Sequence, residues 1–328
     1  MLKNILKYIG TIVMICCVLF LLSLIKNNLN DEYKGVLDLS FAINDSAYGE
    51  TNVYNSMGQT FVGMEDSSNS YLFEDTSYAL LVDETTGEIY ASYNAHRRMY
   101  PASMTKLMTA IIVCERLESG QISEDDIVTV LKYYDLTYDG VGLNNLTVGS
   151  QISVKDLMYG LLIESNNYYA LILADYIAGS QEAFCTLMND KAYELGATNT
   201  HFTNPHGLDE PEHYSTAYDM YLILKEADTY DYIRQIDTYS TYSYTYIDGF
   251  NNYMYDDVSA TSLFAHGYVT LPANFSIRTW KTGTTSGAGN CLALCLTKGD
   301  HTYYLVTSDA DSRSELYDAV IELLCLVE

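Results

Sequence analysis

The stretch PASMTKLMTAIIVCERLESG, residues 101–120, opens on Pro101, closes on Gly120 and repeats its apolar positions at helical spacing in between. Proline suits the first turn of a helix and glycine the position just past its end, so the stretch is predicted to form one amphipathic helix. Ser103 falls in the first turn, and Lys106, three residues on, shares its face, so the two side chains meet. A lysine takes up a proton near pH 7 only when its pKa is lowered. Partial burial, the positive helix start and a second cation, Lys281, all act in that direction. Ser103 then has its own base, and the unpaired N–H groups of the helix start face the oxyanion that forms when the serine adds to a carbonyl. The spacing alone is weak support, because an S-x-x-K match is expected about once in a chain of this length. Ser23 with Lys26 is a second match, at a quite different place.

Upstream, residues 78–93 (YALLVDETTGEIYASY) hold two β-rich runs on either side of Glu84 to Gly87 and read as a hairpin. Downstream, residues 153–227 are helical in pattern: VKDLMYGLLIES, NNYYALILADYIAG and QEAFCTLMNDKAYELG each carry an apolar stripe. From Tyr239 the texture turns to strands, in YSTYSYTYI, SIRTWKTG, NCLALCLTKG and HTYYLVTS, before SELYDAVIELLCLV closes as a helix. Strands from both ends with helices between them give an α/β fold of the α+β kind. One antiparallel β-sheet is flanked by helices, with an all-helical subdomain.

Two further patterns carry chemistry. Ser165-Asn166-Asn167 falls at the break between two apolar helices, where a serine is ordinarily an N-cap. The functional alternative has Ser165 relay a proton toward a leaving amine while Asn167 holds a substrate amide. Ser67 with Asn69 matches S-x-N as well, so order and setting carry the weight. Lys281-Thr282-Gly283 is rarer, at under roughly one chance in ten per chain. It falls on a strand, where Gly283 lets another backbone come close and an edge pairs with an extended peptide. Lys281 and Thr282 then receive a terminal carboxylate, and the N–H of Thr284 is a second oxyanion donor. Trp280 points the opposite way from Lys281 and reads as core.

PASMTKLMTA, SNN, NPHGLDEPEHYSTAYDM and WKTGTTSGAGNCLA, in this order, resemble the serine D-alanyl-D-alanine carboxypeptidases of the low-molecular-mass penicillin-binding group. The resemblance covers residues 78–328 and implies a β-lactamase/transpeptidase-like fold. It implies Ser103 as nucleophile, Lys106 as base, Ser165 and Asn167 as the second serine and amide, and Lys281, Thr282 and Gly283 as the substrate strand. The implied reaction removes the terminal D-alanine from peptidoglycan stem peptides through an acyl-enzyme that water hydrolyses. No cofactor or metal takes part, and β-lactam antibiotics act as covalent inhibitors. Asn166 and Tyr168 stand where the family commonly has a small residue and an acid, which bears on substrate preference more than on mechanism. A β-lactamase shares the three patterns, but the ExxLN-type string of the class A enzymes is missing between Asn167 and Tyr221. A catalytically silent wall-binding protein of the same fold is opposed by the presence of every reactive side chain.

The whole chain sets the surroundings. With 328 residues and 48% hydrophobic content it buries a full-sized core. A formal charge of -26 argues against nucleic acid and anionic lipid as ligands. Residues 8–25 are 18 consecutive positions without a charge, the length of a membrane span, with Lys3 and Lys7 before them and Asp31 and Glu32 soon after. Residues 1–29 are therefore expected to anchor the chain in the cytoplasmic membrane with the rest of the chain outside it, unless the segment is cleaved. The accessory β domain and amphipathic tail of many relatives have no room after Leu326, so this anchor would be N-terminal. Residues 30–76, polar and acidic, read as a spacer, and residues 77–328 as the catalytic domain. Cys114, Cys185, Cys291, Cys295 and Cys325 show no disulfide or metal spacing and read as buried small hydrophobes. His206 and His213 fit no zinc signature and read as loop-packing residues. Tyr242, Tyr244 and Tyr246 alternate along one strand; a packed sheet face is the simpler reading and glycan stacking the other.

Overall fold

The computed structural model of the chain describes residues 76–136 and 145–327, which belong to one compact unit. The expected anchor, residues 1–29, and nearly all of the expected spacer lie outside the described residues. Among those described, no helix is long and apolar enough to cross a membrane.

The predicted hairpin forms, with β1 (Tyr78–Asp83) antiparallel to β2 (Glu88–Tyr93). Asp83 fixes its turn: one carboxylate oxygen accepts from the N–H of Thr85 at 2.8 Å and of Thr86 at 3.3 Å. Three strands from the far end of the chain, β7 (Phe275–Thr285), β8 (Gly289–Lys298) and β9 (His301–Ala310), complete a five-stranded sheet in the order β2-β1-β9-β8-β7. Residues 291–296 of β8 are buried without interruption, which requires cover on both faces. α5 (Ala217–Ala227) and α7 (Arg313–Leu324), separated in the chain by the short α6 (Asp231–Ile236), both pack against β8 and β9. β7 is left at the edge, where a strand has unpaired backbone groups to offer.

The helix of residues 101–120 begins as a 3-10 turn, Ala102–Thr105, and continues as α1 (Lys106–Glu118). Residues 106–114 are all buried, because α3 (Asn167–Ala178), α4 (Gln181–Glu194) and α5 all pack around this helix. Ser180, Thr216 and Ser312 cap α4, α5 and α7, each accepting from a backbone N–H in the first turn. The stretch VKDLMYGLLIES, read as one helix, is α2 (Val154–Tyr159) running into a π turn, Gly160–Glu164.

The Tyr-rich run does not join the main sheet. β5 (Thr241–Ile247) pairs instead with β6 (Tyr253–Ser259) and, through β4 (Gln151–Ser153), with β3 (Ile127–Thr129), in a second sheet of order β3-β4-β5-β6. The helical subdomain therefore carries a sheet of its own. The ring face of β5 sets this: Tyr242 packs on Tyr159 with centroids 4.0 Å apart, and the hydroxyls of Tyr244 and Tyr169 meet. The face is a packed one, in line with the simpler reading. β3 and β4, three residues each, are too short for alternation to reveal.

Candidate active site

Ser103 sits in the 3-10 turn, and Lys106 is the first residue of α1, so their common face is built by local geometry. Two glycines bring other elements onto this turn. A Cβ at Gly283 of β7 would lie 2.9 Å from the Ser103 nitrogen and from the Ala102 Cβ, so only glycine lets the strand edge come so close. A Cβ at Gly207 would fall 1.9 Å from the Ala102 carbonyl oxygen, and its φ of +94° is itself one that side chains rarely adopt.

Lys106 is completely buried, and its Nζ lies 2.8 Å from Ser103 Oγ, 2.6 Å from Asn167 Oδ1 and 2.7 Å from the His206 carbonyl oxygen. Burial, then the charge of Lys281, holds its pKa well below the ordinary lysine value. In the neutral amine two N–H bonds are satisfied by Asn167 and His206, and the lone pair is left facing the Ser103 hydroxyl.

Asn166, not Ser165, is the N-cap of α3: its side chain accepts from the N–H of Tyr168 at 3.0 Å and of Tyr169 at 3.3 Å. Ser165 is in left-handed conformation, φ 66°, at the end of the π turn. Its Oγ is buried and has no hydrogen-bond partner among the described residues. Capping is thus handed to the neighbour, and Ser165 joins Ser103, Thr282, Gly283, Thr284 and Arg313 in lining a cavity of about 250 Å³.

Lys281 does not line this cavity. It is fully buried under β7 with its Nζ donating to the Thr282 carbonyl at 3.0 Å, and burial pushes it down to about 7. Its influence on the site is electrostatic, through Lys106. Trp280 is core, as expected, with its indole N–H donating to the Asp237 carbonyl at 3.0 Å. The backbone N–H of Trp280 points off the sheet edge and donates to the Asp237 carboxylate at 2.9 Å. Strand alternation turns the N–H groups of Thr282 and Thr284 to the same edge, so Asp237 closes the edge at Trp280 and leaves it open at the cavity.

The sequence assigned no role to several residues that shape this site. The NPHGLD loop supplies the His206 carbonyl to Lys106. It also clamps the β7–β8 turn, since Asp209 accepts from Thr285 Oγ1 at 2.6 Å and from the Gly287 N–H at 2.8 Å. Burial above all holds the His206 pKa well below the ordinary histidine value; its Nδ1 accepts from the Leu208 N–H at 3.2 Å. Thr261 meets Thr282, hydroxyl to hydroxyl, at 2.5 Å, and its carbonyl accepts from Arg313. The NPHGLD string stands out in the sequence, whereas nothing local to Thr261, Asp237 or Arg313 distinguishes them. Among the described residues no three His, Cys, Asp or Glu side chains gather as a metal site would require.

An alcohol beside a buried amine, a second serine in the wall of the same cavity and an open strand edge, on this two-part α+β body, are the plan of the penicillin-binding fold. Structural likeness agrees: the DD-transpeptidase of Streptomyces K15 superposes with a TM-score of 0.69 at 24% identity, over 77% of this chain and 96% of that one. The D-alanyl-D-alanine carboxypeptidase DacD of Francisella tularensis does so with a TM-score of 0.66 at 21% identity, over 88% and 75%. The chain belongs to the D-alanyl-D-alanine carboxypeptidase family, whose model matches residues 68–312. It is 37% identical to the D-alanyl-D-alanine carboxypeptidase DacC of Escherichia coli (strain K12) over 225 residues, 67% of this chain and 53% of that protein. It is 31% identical to DacF of Bacillus subtilis (strain 168), over 80% of this chain and 65% of that one. The matched region thus spans about half to two thirds of these relatives.

Proposed function

We propose that the protein is a serine D-alanyl-D-alanine carboxypeptidase that removes the terminal D-alanine from peptidoglycan stem peptides. The observation that carries this reading is the buried Lys106 amine, its pKa held well below the ordinary lysine value by burial, 2.8 Å from Ser103 Oγ beside an open cavity. Family membership supports it.

Lys106 takes the Ser103 proton as Oγ bonds to the carbonyl carbon of the penultimate D-alanine. The N–H groups of Ser103 and Thr284, brought together by Gly283, hold the oxyanion. The C–N bond then breaks, and the proton reaches the departing amine through the Ser165 hydroxyl. Thr282 and the exposed cation of Arg313 receive the terminal carboxylate, while Asn167 orients both Lys106 and the peptide amide. Water, deprotonated by Lys106, hydrolyses the ester and restores Ser103. A β-lactam presents a strained amide to the same serine and stays as the acyl-enzyme.

We further propose that residues 8–25 hold the chain in the cytoplasmic membrane with the catalytic domain outside, on the strength of their charge-free length. Sequencing the N-terminus of the mature protein tests this; loss of residues 8–25 refutes a retained anchor.

The test of function is incubation of the full chain with labelled penicillin and with a D-Ala-D-Ala peptide. Lasting label and D-alanine release are expected for the native chain and neither for Ser103→Ala. Rapid drug turnover without D-alanine release would make the protein a β-lactamase, and no label at all would make it a silent wall binder.

A further inference from the structure

The hairpin of β5 and β6 has two unlike faces. Its register puts Tyr244 opposite Asp256 and Tyr246 opposite Met254 on the face that packs on the helices. Ile247 with Tyr253, Thr245 with Tyr255, Ser243 with Asp257 and Thr241 with Ser259 make up the other face. There Tyr253 is 86% exposed and Tyr255 64%, although nothing in the packing of the hairpin requires an aromatic ring in water.

The polar groups between the rings are organised. Ser243 Oγ and the Tyr255 hydroxyl both donate to one oxygen of Asp257, at 2.6 and 2.7 Å. Toward the cavity, Ser259 Oγ lies 3.5 Å from His266 Nε2, and the His266 ring stacks on Tyr268 with centroids 5.3 Å apart; Tyr268 is 76% exposed. Tyrosine faces interleaved with hydroxyls and an ionised carboxylate suit a sugar chain, whose C–H faces lie on rings and whose hydroxyls donate to oxygen.

Charge narrows the choice. Residues 235–277 contain no Lys or Arg, and Asp248, Asp256 and Asp257 all belong to the hairpin and its turn, so an anionic lipid surface is repelled. The acids at 256 and 257 also oppose pairing of the β6 edge with a second copy of itself.

The hairpin leads along the chain to the active site. β6 ends at Ser259, and two residues further Thr261 makes its hydroxyl contact with Thr282 in the cavity wall. From Tyr255 to Ser259 the strand covers ~13 Å at about 3.3 Å per residue.

We propose that the outer face of the β5–β6 hairpin, with Tyr268, is a binding platform for the glycan strand of peptidoglycan, and that it presents the attached stem peptide to the Ser103 cavity. The proposal rests on the carboxypeptidase reading for its orientation, but the binding itself involves no chemistry at Ser103. Tyr253, Tyr255 and Tyr268 are exposed enough that alanine at each leaves the fold intact.

The experiment compares the full chain with its Tyr253→Ala/Tyr255→Ala/Tyr268→Ala variant. One arm measures retention on an uncharged glycan strand of linked N-acetylglucosamine units; another measures KM for D-alanine release from intact wall polymer and from a soluble D-Ala-D-Ala peptide. The native chain should be retained on bare glycan, and the variant about tenfold less. KM on the polymer should rise by a similar factor while the soluble peptide and the penicillin acylation rate are unaffected. Equal retention of native chain and variant, or none by either, overturns the platform. So does a loss that tracks vesicles of neutral lipid, or a concentration-dependent dimer, instead of glycan. If penicillin labelling fails while glycan retention follows the variant, the carboxypeptidase reading falls and the platform stands.

Discussion

Gly283 and Ser103 are held backbone to backbone: the strand edge of β7 comes so near the nucleophile's turn that a methyl at Gly283 would stand 2.9 Å from the Ser103 nitrogen. The two proposed oxyanion donors, the N–H groups of Ser103 and Thr284, belong to different elements, and only this contact sets their separation. Gly283→Ala must push turn and strand apart, since both atoms it meets are on or next to backbone. Acylation by penicillin is expected to fall about 100-fold or more, the scale for loss of one oxyanion donor. Thermal stability should change little by comparison. Rapid-mixing measurement of acylation checks this, and a rate within threefold of native would show that the contact does not position the donors.

Ser165 offers a separation of roles that a capping serine would not. Its Oγ is buried without a partner among the described residues, while Asn166 makes the cap bonds. Removing an unsatisfied buried hydroxyl relieves a desolvation penalty, so Ser165→Ala should fold with a stability within about 0.5 kcal/mol of native, or above it. D-alanine release should nonetheless fall by two orders of magnitude or so, as for loss of a proton-transfer group. Asn166→Ala should show the reverse pattern, losing about 1 kcal/mol of stability. Urea denaturation and turnover, measured on both variants, distinguish relay from cap.

Much of this is legible in the sequence, and the reasons are physical. The contact of Ser103 with Lys106 is three residues long and set by helix geometry, so the spacing foretells it once Pro101 and Gly120 mark the stretch as a helix. The hairpin of residues 78–93 and the three terminal strands announce themselves by alternation and turns, which are local signals. What sequence does not reveal is non-local. The second sheet forms because the rings of β5 find Tyr159 and Tyr169 across the subdomain, a packing preference no strand carries in itself. Lys281 reads as a strand residue that receives a carboxylate with Thr282; its complete burial is not legible in the sequence, because alternation says which side a residue takes but not what covers that side. Arg313 lies 210 residues from Ser103 in sequence and lines the same cavity only through the docking of α7.

Two buried lysines near one serine make the rate of acylation a titration of the site. Attack requires Lys106 without its proton, so the rate climbs as pH rises through the Lys106 pKa. Burial lowers that pKa most, and the charge of Lys281 lowers it further. Lys281 is pushed by burial to about 7, against the pull of Asp237, so it is partly charged at neutral pH. Replacing it by methionine removes a positive neighbour, raises the Lys106 pKa and moves the acid limb of the penicillin acylation profile to higher pH. The slope of the limb should be unchanged. A limb that stays put, or moves to lower pH, would sever the electrostatic link between the two lysines.

His213 ties folding itself to pH. It is buried behind the nucleophile's turn, with Nδ1 accepting from the Thr203 N–H at 3.1 Å and Nε2 lying 2.9 Å from Thr105 Oγ1, so the neutral ring is the one that fits. Burial, then His201 and Lys106, push it down to about 3. The unfolded chain, with an ordinary histidine, therefore binds the extra proton between pH 6.5 and about 3, and stability falls as pH drops through that window. From pH 7 to pH 5 the histidine's share of the loss is about 2 kcal/mol. His213→Gln cannot take up that proton. The stability gap between native chain and variant, read from urea midpoints, should accordingly narrow by this amount from pH 7 to pH 5. A gap that is constant or widens would mean that His213 is charged in the folded protein, and the neutral hydrogen-bond pattern behind Ser103 would have to be abandoned.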